Sequence, residues 1–291
     1  MELFAELGGT VTSFHAAEQD IDCLCGKRLL KIDKYSGDVI CQKTLFEKEG
    51  LSRKLIADDT HLFIYDFCTL CVLRRKDYEL IGKWRLGNDL SSDICGIAVD
   101  QDTVFCSIRN GRMMTLDRRT HLVKEFSVSD SSMWCVRPYG RHLICGCVDG
   151  KVLLLDKSTL ARENSLTLGK KNVGSLLIDG DSLYAACHDG KLFQIDLGRL
   201  EVHASAHKAH RKMFACAGVY RDMLVSVSHP CSEIAFWKKD SLEKICVRNI
   251  PLKLSGHAYI ENHFLYISSR NIPGIGRIQL EQLLFPALAD G

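Results

Sequence analysis

Several features that mark particular protein classes are missing from this chain of 291 residues. It has only five prolines, and no Ser/Gly/Pro-rich linker or acidic tail separates one part from another. The opening residues, MELFAELGGT, carry neither the basic stretch nor the apolar core of a signal peptide. No segment approaches the roughly 18 uninterrupted apolar residues that a membrane-spanning helix needs. We therefore expect a cytoplasmic or nuclear protein without a membrane span.

Motifs of the common catalytic and phosphate-binding sites are also missing. G-x-S-x-G, a P-loop, H-E-x-x-H and a G-x-G-x-x-G after a strand do not occur. The segment GIGR (274–277) is too short to surround a phosphate and indicates a loop. A net charge of +2 gives no overall attraction to nucleic acid or membrane. We expect no catalytic activity and no cofactor.

Cysteine, in contrast, is abundant, with 14 residues scattered through apolar runs. A free cysteine behaves as a small hydrophobic residue, so we expect reduced thiols that pack in strands inside the cell. Cys68 and Cys71 form a CxxC that could supply half of a zinc site. No second CxxC or H-x₃₋₅-H follows at the spacing of a zinc finger, so we predict no metal.

A phrase of two apolar runs around a small polar turn recurs about every forty residues. The second run of each copy ends at an equivalent position: Asp33, Arg74, Asp117, Asp156, Asp196, Lys238 and, less clearly, Glu281. The fourth copy shows four strand-like runs, at 133–139, 142–148, 151–156 and 161–168. Its Asp149-Gly150 turn between alternating runs is a strong hairpin signal.

Four antiparallel strands per period of about forty are typical of a propeller blade. We predict an all-β, single seven-bladed β-propeller over residues 1–291 with almost no helix. The blades are predicted at about 10–48, 49–90, 91–130, 131–170, 171–209, 210–252 and 253–282. Residues 2–8 are predicted to supply the outermost strand of the last blade and so close the ring, which removes exposed edges. The alternative is that residues 281–291 supply that strand.

The sixth copy, AHRKMFACAGVYRDMLVSVSHPCSEIAFWKKDSLEKI (209–245), resembles a WD-repeat unit. His210 stands at the family's loop histidine, LVSVS at its second strand and Trp237 at the tryptophan that ends its third strand. Well-formed repeats of that family contain a buried His, Ser, Asp and Trp set, and no copy here has all four. The tryptophan position reads Ile32, Leu73, Leu116, Leu155 and Ile195 in the first five copies. We expect apolar packing to hold those blades together.

The resemblance implies a non-catalytic scaffold or adaptor that presents its loops to a protein or to an acidic or phosphorylated peptide. We expect a monomer or one subunit of a larger complex. The connection HASAHKAHRK (203–212) and the preceding GKKN (169–172) indicate a basic rim. The candidate partner-binding residues are His207, His210, Arg211, Lys212, Lys170, Lys171 and Trp134, the last as an aromatic anchor.

Two other readings remain open. A propeller enzyme, or a protein that binds a quinone or another small ligand, would use the central channel, and LLKIDKYSGDVI (29–40) resembles quinoprotein-type propellers. Binding of RNA or anionic lipid would use basic turns such as RRKD (74–77). Each of these turns has an aspartate beside its cations, so its net field is small and we expect no nucleic-acid binding.

Overall fold

We describe the protein from a computed structural model. It defines residues 2–46, 54–86, 93–211, 213–228, 232–251, 254–269 and 272–285. The described residues form seven sheets of four antiparallel strands. The chain separates into two compact units, one of residues 1–85, 229–234 and 246–291, the other of residues 86–228 and 235–245.

The first unit contains three complete sheets. Sheet 1 consists of β2 (Val11–Ala16), β3 (Asp20–Cys25), β4 (Arg28–Asp33) and β5 (Val39–Thr44). Sheet 2 consists of β6 (Lys54–Ala57), β7 (His61–Asp66), β8 (Thr69–Arg74) and β9 (Leu80–Arg85). Sheet 7 consists of β26 (Leu254–Glu261), β27 (Phe264–Ser269), β28 (Gly274–Gln279) and β1 (Glu2–Glu6). The interpretation of GIGR (274–277) as a loop is wrong, because these residues pair within β28.

The second unit contains sheets 3, 4 and 5 and most of sheet 6. Sheet 3 consists of β10 (Ile94–Val99), β11 (Thr103–Ile108), β12 (Arg112–Asp117) and β13 (Val123–Ser127). Sheet 4 consists of β14 (Met133–Tyr139), β15 (His142–Cys147), β16 (Lys151–Asp156) and β17 (Arg162–Thr167). Sheet 5 consists of β18 (Val173–Asp179), β19 (Ser182–Cys187), β20 (Leu192–Asp196) and β21 (Glu201–Ala206). Sheet 6 consists of β22 (Phe214–Tyr220), β23 (Met223–Ser228), β24 (Glu233–Lys238) and β25 (Lys244–Asn249).

The glycine and aspartate residues of the turns explain where the strands end. Gly150 and Gly190, in the turns between the second and third strands of sheets 4 and 5, have φ of +86° and +80°. These left-handed conformations favour glycine. Between the third and fourth strands of sheet 4, Asp156 accepts backbone hydrogen bonds from Ser158 at 3.0 Å and Thr159 at 2.9 Å. Hydrogen bonds from the Ser158 hydroxyl and from this turn lower the pKa of Asp156.

The N-terminal strand completes the last sheet, as the sequence predicts. β1 pairs antiparallel with β28, with Glu2 opposite Arg277 and Glu6 opposite Gly274. Ala5 is buried, and Phe4 makes an edge contact with Tyr266 at a centroid distance of 5.7 Å. The alternative is wrong, because residues that follow β28 form a one-turn helix, α1 (Leu280–Leu284), rather than that strand. Apart from α1 and a single 3-10 turn at Arg109–Gly111, the described residues contain no helix.

The interior of both units is apolar. The position that a tryptophan occupies in sheet 6 is filled in sheets 1 to 5 by side chains that are at most 2 % exposed: Ile32, Leu73, Leu116, Leu155 and Ile195. The expected apolar packing at this position is confirmed. Thirteen of the cysteines lie in the described segments, all as free thiols and most of them buried.

A recurrent ion pair joins neighbouring sheets at the edge that carries the turns between third and fourth strands. A cation directly after the third strand contacts a carboxylate of the preceding sheet in four places: Lys34 with Glu261, Arg75 with Asp20, Lys157 with Asp100, and Lys239 with Asp179. These four basic residues therefore stabilise contacts between neighbouring sheets. Among the described residues, none of the helices is long and apolar enough to cross a membrane.

Candidate functional site

The best-defined polar cluster in the second unit lies inside sheet 6. The indole N–H of Trp237 donates to Ser226 Oγ at 2.8 Å, and His210 Nε2 lies 2.7 Å from the same oxygen. All three side chains are buried. Because an indole N–H can only donate, the serine hydroxyl accepts from Trp237 and can donate to a basic Nε2. The burial of His210 removes it from the exposed side chains that a partner can touch.

Lys244 strengthens this cluster from the fourth strand of the sheet. Its ammonium group donates to the carbonyl of Ala209 at 2.9 Å and lies 4.8 Å from the centroid of the Trp237 ring. Ala209 directly precedes His210 in the connection from β21 to β22. The connection is thus fixed at its buried end while its preceding residues face solvent.

Two connections between sheets are supported by the turn glycines. An added Cβ on Gly150 would lie 2.4 Å from the carbonyl oxygen of Gly169, and one on Gly190 would lie 2.6 Å from that of His210. The Gly190 carbonyl also accepts from the N–H of Ala209 at 2.7 Å. Close backbone contact therefore holds the connections 168–172 and 207–211 against the sheets that precede them.

Cationic side chains extend from these two connections. Lys170 and Lys171 are exposed and have no ion-pair partner among the residues that the structure describes. His207 and Lys208 are likewise exposed and unpaired within the described segments, and Arg211 is exposed. Lys212, a further candidate from the sequence, lies outside the described residues. We call Lys170, Lys171, His207, Lys208 and Arg211 the basic rim.

Trp134 lies beside this rim, on β14. Its side chain is 38 % exposed, and its ring meets the His188 ring edge to face at a centroid distance of 6.4 Å. His188 follows β19, and an added Cβ on Gly174 would lie 2.4 Å from its Nε2. The glycine therefore leaves the space that the imidazole occupies. Burial lowers the pKa of His188, so its ring is neutral at neutral pH.

Asn172 joins the aromatic pair to the rim. Its amide nitrogen is 3.4 Å from His188 Nδ1, and its neighbour in the chain is Lys171. Val148, 42 % exposed, directly follows β15, and its N–H donates at 3.0 Å to the carbonyl of Ser132, which precedes β14. Trp134 and Val148 are thus exposed apolar side chains close to the free lysines.

The charge of this region is positive but not uniform. The aspartates of the adjacent turns are neutralised locally, Asp149 by Lys151 at 2.6 Å and Asp189 by Lys191 at 2.8 Å. Among the described residues of this region, Lys170, Lys171 and Lys208 carry charges that no ion pair neutralises.

The comparisons with known proteins concern the fold. U3-55K superimposes with a TM-score of 0.76 at 11 % sequence identity, over 91 % of this chain and 90 % of that one. A computationally designed protein, Ika8, gives a TM-score of 0.72 at 10 % identity, over 96 % of this chain and 100 % of its own. No protein-family model and no curated protein sequence matches the chain. The fold is a seven-bladed β-propeller. Sheets 1 to 7 are its blades.

A cleft lies in the first unit, between turns of blades 1 and 2. It is an open cleft of about 360 Å³, lined by Asp20, Lys31, Asp59, Thr60, His61, Arg74, Arg75 and Lys76. Most of its cations are already paired: Arg75 binds Asp20 and Asp22, and Arg74 binds Asp77 and Glu79. Because these carboxylates already neutralise both arginines, neither arginine is free to bind an anion in the cleft.

Neither cysteines nor carboxylates assemble a metal site in the described part of the chain, which holds no group of three or more suitable ligands. Cys68 lies in the turn between β7 and β8, and Cys71 is buried in β8. Burial raises the pKa of Cys147, Cys187 and Cys216 to about 12. These thiols stay protonated and unreactive near neutral pH.

Sequence reasoning missed His188, Asn172 and Gly174, which hold Trp134 and connect it to the rim. His188 and Asn172 belong to neighbouring turns of one blade, and Trp134 belongs to the preceding blade. The sequence contains a signal for His188, because this residue directly precedes an Asp189-Gly190 turn like the Asp149-Gly150 turn of the fourth copy. The spacing of residues in the sequence does not show that the His188 ring lies over Gly174 of the adjacent strand.

Proposed function

We propose that the protein is a non-catalytic interaction module that binds a protein partner through the basic rim of blades 4 to 6. The observation that carries this proposal is the combination of unpaired lysines with an exposed tryptophan beside them. Tryptophan is enriched among the residues that dominate binding at protein interfaces, and unpaired lysines attract the acidic groups of a partner.

The rigidity of the rim supports the same proposal. The connections 168–172 and 207–211 are held by backbone contacts with Gly150 and Gly190, so their order does not depend on a ligand. A surface that is ordered before binding loses less conformational entropy when a partner arrives. Such a surface suits recognition better than a mobile loop of the same charge.

We further propose that the propeller is of the WD-repeat type. The buried contacts among His210, Ser226 and Trp237 support this, as does the likeness to U3-55K, a WD-repeat protein. The abundance of free thiols supports a reducing compartment inside the cell.

Affinity purification followed by mass spectrometry tests the proposed function. The wild type is compared with Lys170→Glu/Lys171→Glu, which reverses two unpaired charges at the rim. The matched control is Lys83→Glu/Lys124→Glu, which makes the same change in charge on exposed outer strands of other blades. Partners should be lost from the rim variant and retained by the control. If the same proteins co-purify with both variants, the rim is not the binding surface.

A further inference from the structure

The composition of the rim narrows the chemistry of the partner. Three unpaired lysines, Lys170, Lys171 and Lys208, favour carboxylates or phosphates. Two exposed apolar side chains, Trp134 and Val148, lie beside the rim. A purely anionic ligand would make no apolar contact with them. A ligand that satisfies both must join acidic groups to an apolar group at close spacing.

The Trp134 ring is oriented for contact with another ring. The His188 ring meets it at an interplanar angle of 76°, and part of the tryptophan remains exposed to solvent. Aromatic pairs favour offset or edge-to-face arrangements and gain stabilisation beyond the area they bury. An aromatic side chain of a partner can therefore add to the existing Trp134–His188 pair.

The distance from Trp134 to the lysines fits a short peptide. The path runs 6.4 Å between the two rings, 3.4 Å from His188 to Asn172, and one residue further to Lys171. Extended peptide advances roughly 3.3 Å per residue, so a segment of a few residues can contact both Trp134 and Lys171.

Nucleic acid could also combine stacking with phosphate contacts, but two observations favour peptide. The sequence pI is about 7.9, whereas nucleic-acid-binding domains commonly exceed about 9. Lys151 and Lys191 are also already paired with Asp149 and Asp189, so they do not extend the positive charge of the rim along a phosphate backbone.

We infer that the rim binds a short acidic peptide segment whose aromatic side chain packs against Trp134, with its carboxylates at Lys170 and Lys171. This inference rests on the proposed function and specifies the ligand of the same surface. Basic peptides are disfavoured by the positive charge of the unpaired lysines, whereas the Asp149–Lys151 and Asp189–Lys191 pairs are neutral.

Fluorescence polarisation with defined peptides tests the inference. The probe is a fluorescein-labelled dodecapeptide of glutamates with one phenylalanine at position six. The comparison peptides replace the phenylalanine by serine or all the glutamates by lysine, and a single-stranded oligouridylate of twelve nucleotides represents nucleic acid. The Glu/Phe peptide should bind, with the serine peptide about tenfold weaker and the lysine peptide not bound.

Protein variants then separate the two contacts. Trp134→Ala should lower the affinity for the Glu/Phe peptide about tenfold and leave the affinity for the serine peptide unchanged. Only the Glu/Phe peptide has an aromatic ring that contacts Trp134. Lys170→Glu/Lys171→Glu should weaken the binding of both peptides. Lys83→Glu/Lys124→Glu should change neither, and near-ultraviolet circular dichroism checks that each variant is folded.

Several outcomes would overturn the inference. These are equal binding of the phenylalanine and serine peptides, an equal effect of Trp134→Ala on both, absence of binding by either, or tighter binding of the oligouridylate. If the rim variant nevertheless loses its co-purifying proteins, only the ligand assignment fails and the proposed function stands. If no co-purifying protein depends on the rim, the proposed function itself fails.

Discussion

The hydroxyl of Tyr78 donates a 2.5 Å hydrogen bond to Asp22 across the boundary between blades 2 and 1. Asp22 is fully buried, and Arg75 Nε donates to its other oxygen at 2.6 Å. Arg75 also pairs with Asp20, and Lys31 donates to the Arg75 carbonyl at 3.0 Å. A buried carboxylate is tolerated here because each oxygen has a partner. Burial and the charge of Asp22 raise the pKa of Tyr78, so the phenol remains a donor.

Tyr78→Phe should therefore destabilise the protein by about 1.5 kcal/mol, the lower end for a hydrogen bond to a charged group, since Arg75 still binds the carboxylate. The matched control is Tyr139→Phe, whose hydroxyl donates to Asp181 at 2.9 Å in an exposed position. Urea unfolding monitored by fluorescence measures both. The control should change stability little, and an equal loss for the two variants would contradict the role of the buried pair.

Ser226→Ala should destabilise the protein by about 1–3 kcal/mol, because it leaves the buried N–H of Trp237 and the His210 nitrogen without their shared partner. Ser228→Ala is the control, two residues along the same strand and equally buried. Its only described bond is a 3.4 Å contact with the carbonyl of Met213. Equal denaturation midpoints for the two variants would show that the cluster adds nothing.

The sequence predicts the fold because every blade repeats the same local signals. The strand bounds of blade 4 agree with its apolar runs to within a residue. The reason is that the residues of the Asp149-Gly150 turn and of the Asp156 turn favour a reversal of the chain at those positions. The N-terminal strand was predictable for the same reason, as ELFAEL resembles an outer strand that lacks a hairpin partner.

The site is less accessible to sequence reasoning. His210 and Lys170 look alike as basic residues of two blade connections, yet one is buried against Ser226 and the other faces solvent. That difference depends on the serine and tryptophan of blade 6, for which blade 5 has Ala185 and Ile195. The network of Asp22, Arg75 and Tyr78 was not predicted at all, because its members come from different blades.

Stability should fall as the pH drops below about 7. Burial lowers the pKa of His15 and of His188, so the unfolded chain, with histidine near 6.5, binds protons that the folded chain excludes. The loss begins as pH approaches 6.5 and grows until the folded pKa values are reached. His15 faces Arg75, whose charge adds to the lowering, and the carboxylates of Asp20, Asp22 and Asp58, which oppose it.

Urea unfolding at pH 7.5 and 5.5 measures this dependence. His15→Gln and His188→Gln should each reduce the slope, by at most about 1.4 kcal/mol per pH unit, whereas His207→Gln, at an exposed position, is the control. The turn aspartates Asp33, Asp117 and Asp156 act in a separate, more acidic pH range. Their lowered pKa values stabilise the folded state above the unfolded pKa near 3.9, and this stabilisation is lost as the pH falls through the folded pKa values. A flat profile between pH 7.5 and 5.5 would refute the histidine contribution.

Gly150→Ala should impair the rim as well as stability. Its φ of +86° costs an alanine about 1 kcal/mol or more, and the new methyl group would meet the Gly169 carbonyl at 2.4 Å. The connection that bears Lys170 and Lys171 must then shift. Gly169→Ala is the control, because its added Cβ has no neighbour nearer than 3.9 Å. Binding of the Glu/Phe peptide should weaken for the first variant only; equal affinities would show that the turn does not position the lysines.

Removal of residues 1–8 should leave the last blade without its outer strand. The deletion takes away the pairing with β28, the buried Ala5 and Leu7, and the Phe4 ring that covers Arg277 at 4.5 Å. We expect a loss of at least about 3 kcal/mol, which corresponds to a fall in Tm of roughly 6–12 °C. Differential scanning calorimetry measures it.

A synthetic peptide of residues 1–9 provides the control for that deletion. Because the edge of β28 becomes a free template, the peptide should pair with it and restore much of the lost Tm in a concentration-dependent way. A peptide with the same composition in scrambled order should not. If the deletion leaves Tm unchanged, the N-terminal strand does not close the propeller, and if both peptides restore it equally, the rescue does not come from strand pairing.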